Sequence, residues 1–199
     1  MNISLIAASH RQNSQSKRVT QIIHSKIMKI DQDIKSNVID LASLNLPLWS
    51  TEKKKGNGVW GTTWNNISNT LSSSLGFILV VPEYGGMATP QAKNMFLLCD
   101  QGELSHKPGL IVSISSGTGG AYPIAELRSF SYKNTQMIWI PENIMIRNVE
   151  EVNAGAYGES IPEWLDSRID YVLKLFLAYV SNMRPLREII NRKDFGNGM

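Results

Sequence analysis

Short apolar runs and longer, polar-striped segments alternate along the chain. Residues Ile3 to Ala8, Phe77 to Val81, Leu110 to Ser115 and Met137 to Ile140 are nearly unbroken runs rich in Ile, Leu and Val. Such runs predict parallel strands covered on both faces, whereas a strand with one wet face would alternate apolar and polar residues. Val38 to Leu41 is a weaker fifth run. Helix-compatible segments separate them in turn: Ser16 to Lys29, Trp64 to Ser74, Pro90 to Cys99 and Ala121 to Tyr132. From Pro162 to Val180, the residues Ile169, Val172, Leu173, Phe176 and Val180 recur at helical spacing and predict a final helix lying on the sheet. The alternation predicts an α/β protein, an open parallel sheet of five strands in three layers, with right-handed crossovers and helices on both faces.

Two stretches fall outside that rhythm. Leu46 to Thr63 contains Pro47, the run Lys53, Lys54, Lys55 and several glycines, and reads as a long surface loop whose charges are solvated, a contact with a cofactor phosphate or a partner being the competing reading. Met183 to Met199 is basic and ends in Gly and Asn, so residues 1–182 are expected to be one domain and 183–199 a tail, loose or packed on a neighbouring subunit.

Composition narrows the function classes. The 20 Lys and Arg against 17 Asp and Glu leave a formal charge of +3 over 199 residues, too small and too scattered for a binder of nucleic acid. Cys99 is the one cysteine, so no intrachain disulfide forms and a reducing compartment is expected. The N-terminal residues lack a basic leader, and no stretch approaches 18 consecutive apolar residues. A cytoplasmic protein without membrane contact is the expectation. Trp49, Trp60, Trp64, Trp139 and Trp164 suit core packing and subunit contact, with Trp49 and Trp60 in the long loop as candidates for the latter.

In an open parallel sheet the ligand site lies at the carboxyl ends of the strands. After the first run comes Ser9-His10-Arg11-Gln12-Asn13-Ser14-Gln15-Ser16, a loop of hydroxyls and amides opening a helix. Free N–H groups and the positive end of the helix dipole favour an anion there, and the nearby guanidinium suits a phosphate monoester; a plain N-cap is the competing reading. Neither a G-x-x-x-x-G-K-[ST] nor a G-x-G-x-x-G pattern follows this strand, and no acidic residue does. After the third run comes Pro82-Glu83-Tyr84-Gly85-Gly86, and after the fourth Ser115-Ser116-Gly117-Thr118-Gly119-Gly120. Paired glycines let a backbone approach a flat ligand, and three such turns at alternate strand ends compose a site.

These motifs resemble the NADPH-dependent FMN reductase family of the flavodoxin-like fold, which includes flavin, quinone, azo-dye and chromate reductases. The resemblance rests on S-x-R-x-x-S-x-S at Ser9, Arg11, Ser14 and Ser16, on PEYGG at Pro82 to Gly86, on Lys93-Asn94, and on HKPGLIVSISSGTGG from His106 to Gly120. It implies a flavodoxin-like strand order of 2-1-3-4-5. It also implies FMN as cofactor, with its phosphate on Ser9, Arg11, Ser14, Gln15 and Ser16. Pro82, Glu83, Tyr84 and Gly85 would line the ring, mostly through backbone groups, and Ser115, Ser116, Gly117, Thr118, Gly119 and Gly120 its other edge. NADPH or NADH would donate hydride and a small-molecule electron acceptor would take it, by a ping-pong route that needs no side-chain acid, base or nucleophile. Family members are commonly homodimers or homotetramers. Gly85 stands where the family usually carries Asn, so a side-chain contact near the cofactor is lost. The alternative reading, a flavin-binding carrier or redox-responsive regulator, sits poorly with the mildly basic balance. A serine hydrolase using Ser115 or Ser116 lacks the G-x-S-x-G elbow.

Overall fold

The computed structural model describes residues 1–152 and 161–190. Among the described residues, six strands and seven α-helices follow one another: β1 (Asn2–Ala7), α1 (Gln15–Ile30), β2 (Lys35–Asp40), α2 (Leu41–Leu44), α3 (Asn65–Ser73), β3 (Gly76–Tyr84), β4 (Met87–Ala88), α4 (Pro90–Leu98), β5 (Pro108–Ile114), α5 (Ala121–Phe130), β6 (Ile138–Ile146), α6 (Glu163–Asn182) and α7 (Leu186–Ile189). The sheet runs β2-β1-β3-β5-β6 with every neighbouring pair parallel, and the two-residue β4 pairs antiparallel with β3. Counting only the parallel strands in chain order gives the expected 2-1-3-4-5.

Side-chain alternation along each strand builds two cores. Ile3, Leu5, Ile78, Val80, Leu110 and Val112 face α1 and α6, where Val19, Ile23, Ile169 and Phe176 meet them. Ile6, Phe77, Leu79, Val81 and Ile111 face α3, α4 and α5, meeting Ile67, Leu71, Met95 and Leu127. Burial on both faces explains the unbroken apolar runs in the sequence.

β6 extends past the expected end at Ile140. Gly109 pairs with Trp139 but Ile111 with Asn143, so four residues on β6 oppose two on β5 and the strand bulges at Pro141 and Glu142. Arg128 donates to the carbonyls of Ile140, Pro141 and Glu142 that the bulge frees. Proline is tolerated here because β6 is an edge strand.

The long loop is more ordered than its composition implied. It contains a 3-10 turn, Thr51–Lys55, and a π-turn, Trp60–Trp64. Trp60 and Trp64 are buried in the core rather than presented to a subunit, while Trp49 is exposed. Lys53 is not solvated: it pairs with Asp100 at 2.5 Å and lies 5.3 Å from the centre of the Trp64 ring, whereas Lys54 and Lys55 are exposed. In the tail, Arg187 on α7 donates to the Leu75 carbonyl, which folds this part back on its own chain. The tail beyond residue 190 lies outside the described residues. No helix among those described is long and apolar enough to cross a membrane.

At the end of the sheet opposite the strand C-termini, Lys107 is buried and donates to the carbonyls of Leu71 and Ser72 at the close of α3. Burial, with Arg187 nearby, pushes its pKa down to about 8. An unfolded lysine titrates near about 10.4. Between those values the unfolded chain binds more protons than the folded one, so stability rises as pH climbs through the interval. Urea midpoints should therefore increase from pH 8 to pH 10, and Lys107→Met should flatten that increase; an unchanged slope in the variant would show that Lys107 is not its source.

Candidate functional site

β1, β3 and β5 end side by side, and the turns leaving them enclose one cleft. Its walls are Arg11, Asn13, Ser14, Gln15 and Ser16 from the first turn, Pro82, Glu83 and Tyr84 from the second, and Ile114, Ser115 and Ser116 from the third, with Val149 and Glu150 closing it after β6. Nine of the residues expected from the sequence thus line one cleft. Ser9 lies beneath it, fully buried. Gly85 and residues 117–120 belong to the same turns without lining the cleft.

The first turn is built to present donors. Ser14 is the N-cap of α1, its Oγ accepting from the Lys17 N–H at 3.3 Å, and the first helical turn carries no acidic residue. The positive end of the helix is therefore left uncompensated. Ser16 is 1% exposed and its Oγ has no partner in the protein. A buried hydroxyl without a partner costs about 1–3 kcal/mol, so this atom is open to a hydrogen bond from outside the chain. Ser9 Oγ accepts from the Arg11 N–H at 3.0 Å and bonds the Tyr84 hydroxyl at 2.9 Å, tying the first turn to the second. Gln15 Oε1 accepts from Arg18 Nε at 2.6 Å, so part of that amide is spent on fixing Arg18. Arg18 also donates to the carbonyls of Val149 and Val152 at 2.5 Å each. Burial lowers its pKa, with Glu150 opposing.

The second turn is a hairpin. Gly85 and Gly86 have φ of +58° and +75° between β3 and β4, the pair of left-handed residues that a two-residue type I′ turn demands. Asn is the other residue that accepts this conformation readily, so the exchange of Asn for Gly85 preserves the turn. Thr89 then caps α4: its Oγ1 accepts from the Ala92 N–H at 3.3 Å and donates to the Ala8 carbonyl at 2.5 Å. On α4, Lys93 pairs with Glu126 of α5, and Asn94 donates to the Pro47 carbonyl and accepts from the Trp49 N–H at 2.7 Å, anchoring the start of the long loop. The sequence motif had singled out this Lys-Asn pair without its role.

In the third turn Ser115 Oγ accepts from the Gly117 N–H at 3.3 Å. Glu83 reaches across the cleft to it, Oε2 accepting from the Gly120 N–H at 2.7 Å. Cys99 is buried and its pKa is raised well above the ordinary value, first by desolvation and then by Glu103, so it is an inert thiol.

The sequence reading missed Asn13, Val149 and Glu150. Asn13 lay inside the first motif between matched positions, and Val149 and Glu150 were out of reach because the last strand was ended six residues early. It also missed a second cavity of about 260 Å³, lined by Leu41, Ala42, Leu46, Leu48, Asn45, Gln91, Asn94 and Met95 together with His10 and Pro90. His10 divides the two spaces: its ring meets that of Tyr84 edge-on at 5.5 Å.

A family described as NADPH-dependent FMN reductase matches residues 1–151. Among solved structures, the flavoenzyme NAD(P)H:(acceptor) oxidoreductase FerB from Paracoccus denitrificans is similar over 92% of this chain and 98% of its own, with a TM-score of 0.75 and 15% identity. An oxidoreductase from Corynebacterium diphtheriae covers 91% of this chain and 97% of its own, at a TM-score of 0.71 and 14% identity. The NADH:FMN oxidoreductase EMOB, in its apo form, covers 88% and 87%, at 0.70 and 12%. At these identities the likeness is one of fold. No curated protein matches.

Arg18→Met should loosen one wall of the cleft while leaving the sheet intact. Losing its hydrogen bonds to Val149 and Val152 removes on the order of 1 kcal/mol each from local stability. Amide exchange over residues 147–152 should accelerate at least about tenfold, with β3 and β5 unchanged; unaltered exchange would show that Arg18 does not hold this wall.

Proposed function

Since the chain belongs to the NADPH-dependent FMN reductase family, we propose that it reduces a neutral, planar, quinone-like acceptor with the FMN held across the ends of β1, β3 and β5. FMN is the cofactor and NAD(P)H the co-substrate of this flavin oxidoreductase. When bound, FMN supplies the hydride chemistry, accepting from the nicotinamide and passing on to the acceptor.

The observation that carries the site assignment is Ser16 Oγ, buried and without a partner at the uncompensated N-terminus of α1. In this reading it donates to the FMN phosphate together with Ser14, the backbone N–H groups of the turn, and Arg11 from the exposed rim. Ser9 acts from beneath by holding the Arg11 N–H and the Tyr84 hydroxyl in place. Gln15 acts through Arg18. Tyr84 offers an aromatic wall to the ring, and the hydroxyls of Ser115 and Ser116 offer donors to its far edge. Nothing in this arrangement requires a side chain to shuttle a proton. The protein orients two substrates in succession on one open face, which is a ping-pong route.

The cavity beyond His10 supports the acceptor class. Its walls combine Leu41, Leu46, Leu48 and Met95 with the amides of Asn45, Gln91 and Asn94, and they carry no Lys, Arg, Asp or Glu. An uncharged ring with carbonyl oxygens fits such walls, whereas an anionic acceptor would lose hydration there with no Lys or Arg to meet it.

The first test is spectroscopic. Protein incubated with FMN and desalted should retain a flavin spectrum that bleaches on anaerobic addition of NADPH or NADH. Ser16→Val should weaken FMN affinity at least about tenfold, since a charge-assisted hydrogen bond contributes about 1.5–3 kcal/mol. Flavin retained but never bleached would make the protein a carrier or regulator instead, and no retained flavin would overturn the site. In steady state, kcat/KM for a neutral benzoquinone should exceed that for a sulfonated azo dye; the reverse order would refute the acceptor class.

A further inference from the structure

Helix α5 begins without the usual help. Its N-cap is Gly120, with φ of +106° and no side-chain cap, and no acidic residue stands in its first turn. A capping box would place Glu or Gln three residues on to bond the N-cap N–H, but Pro123 occupies that position. The missing acceptor comes from another element. Glu83, at the end of β3, accepts the Gly120 N–H at 2.7 Å. The approach is so close that a Cβ on Gly119 would stand 2.4 Å from Glu83 Oε1, which makes a glycine at 119 a requirement of this contact.

The lacing runs both ways. Glu126 on α5 accepts from the Ala88 N–H of β4 at 2.6 Å, and Lys93 neutralises it. Among the described residues no cation lies within ion-pair distance of Glu83. Its charge is left facing the cleft that it lines.

We propose that Glu83 is a positioning residue that ties the second and third turns together through the Gly120 N–H and, by its uncompensated charge, lowers the reduction potential of the flavin held between them. The proposal rests on the FMN reading of the cleft for its second half and on the protein alone for its first. A carboxylate beside the ring opposes the negative charge that reduction adds, while the tie keeps the donors of the third turn in register whether or not FMN is bound.

Two substitutions separate the tie from the charge. Glu83→Gln keeps an oxygen that accepts from Gly120 and removes the charge; Glu83→Ala removes both. In FMN-free protein, exchange of the Gly120 amide should stay near wild type in Glu83→Gln and accelerate at least about tenfold in Glu83→Ala. Gly119→Ala, which displaces the carboxylate sterically, should accelerate it likewise and serves if Glu83→Ala does not fold. With FMN bound, Glu83→Gln should favour reduced over oxidised flavin about tenfold more than wild type does, equivalent to a rise of about 30 mV in the two-electron potential. Wild-type exchange at Gly120 in both Glu83→Ala and Gly119→Ala would overturn the tie, and an unchanged potential in Glu83→Gln would overturn the charge effect. A wild-type protein that retains no FMN would fell the site reading and the charge effect together, and exchange in that same cofactor-free protein would still decide the tie.

Discussion

β3 is hydrogen-bonded to β1 on one side and β5 on the other, and Phe77 to Val81 are buried on both of its faces. A strand so enclosed has no freedom of register, because a slip by one residue would move every side chain to the opposite core. Its last residues therefore leave the sheet at a fixed height and in a fixed direction. The cleft depends on this: Pro82, Glu83 and Tyr84 are the final residues of that same strand, and the two neighbouring turns are tied to them. Ser9 of the first turn bonds the Tyr84 hydroxyl, and Gly120 of the third bonds the Glu83 carboxylate. The apolar core thus sets the positions of the polar groups at the ends of its strands.

The ties also explain why loops can hold a cofactor. Loops have few buried contacts and are ordinarily the least stable parts of a fold. Here the hydroxyl of Thr89 bonds Ala8, Arg18 holds the segment after β6, and Asn94 holds the residues around Pro47. Each is a side chain from a helix or a helix cap gripping backbone in a different turn. Ordering the turns beforehand lowers the entropy that a ligand must overcome on binding.

The fold was legible in the sequence because burial on both faces writes itself as unbroken apolar runs, and the cleft because hydroxyls and glycines cluster at the ends of those runs. What was not legible depended on contacts between distant residues. The last strand resumes at Asn143 after a bulge, and only Arg128, from the preceding helix, explains how the freed carbonyls are satisfied. Lys53 stands in a run of three lysines that local sequence describes as solvated, yet Asp100 and Trp64 give it a partner and a surface. Trp60 is drawn inward by the π-turn that ends at Trp64, a geometry with no reliable sequence signal. The pair of glycines at 85 and 86 was legible as a turn, but its type I′ geometry required the pairing of β3 with β4.

The chemical character of the cleft follows from what its polar groups are already doing. Glu83 is occupied with Gly120, Ser9 with Arg11 and Tyr84, Gln15 with Arg18, and the Cys99 thiol is sealed in the core. Groups committed in this way are poor proton carriers but good fixed dipoles and charges. In such a site fixed donors favour the negative charge that a bound redox group develops and a fixed carboxylate opposes it, while selection among substrates is left to the shape and polarity of the walls. In this protein the walls divide by chemistry: those beyond His10 carry no Lys, Arg, Asp or Glu, whereas the cleft beside Tyr84 carries Arg11, Glu83 and Glu150, so the two spaces that meet at the His10 and Tyr84 rings suit groups of different charge.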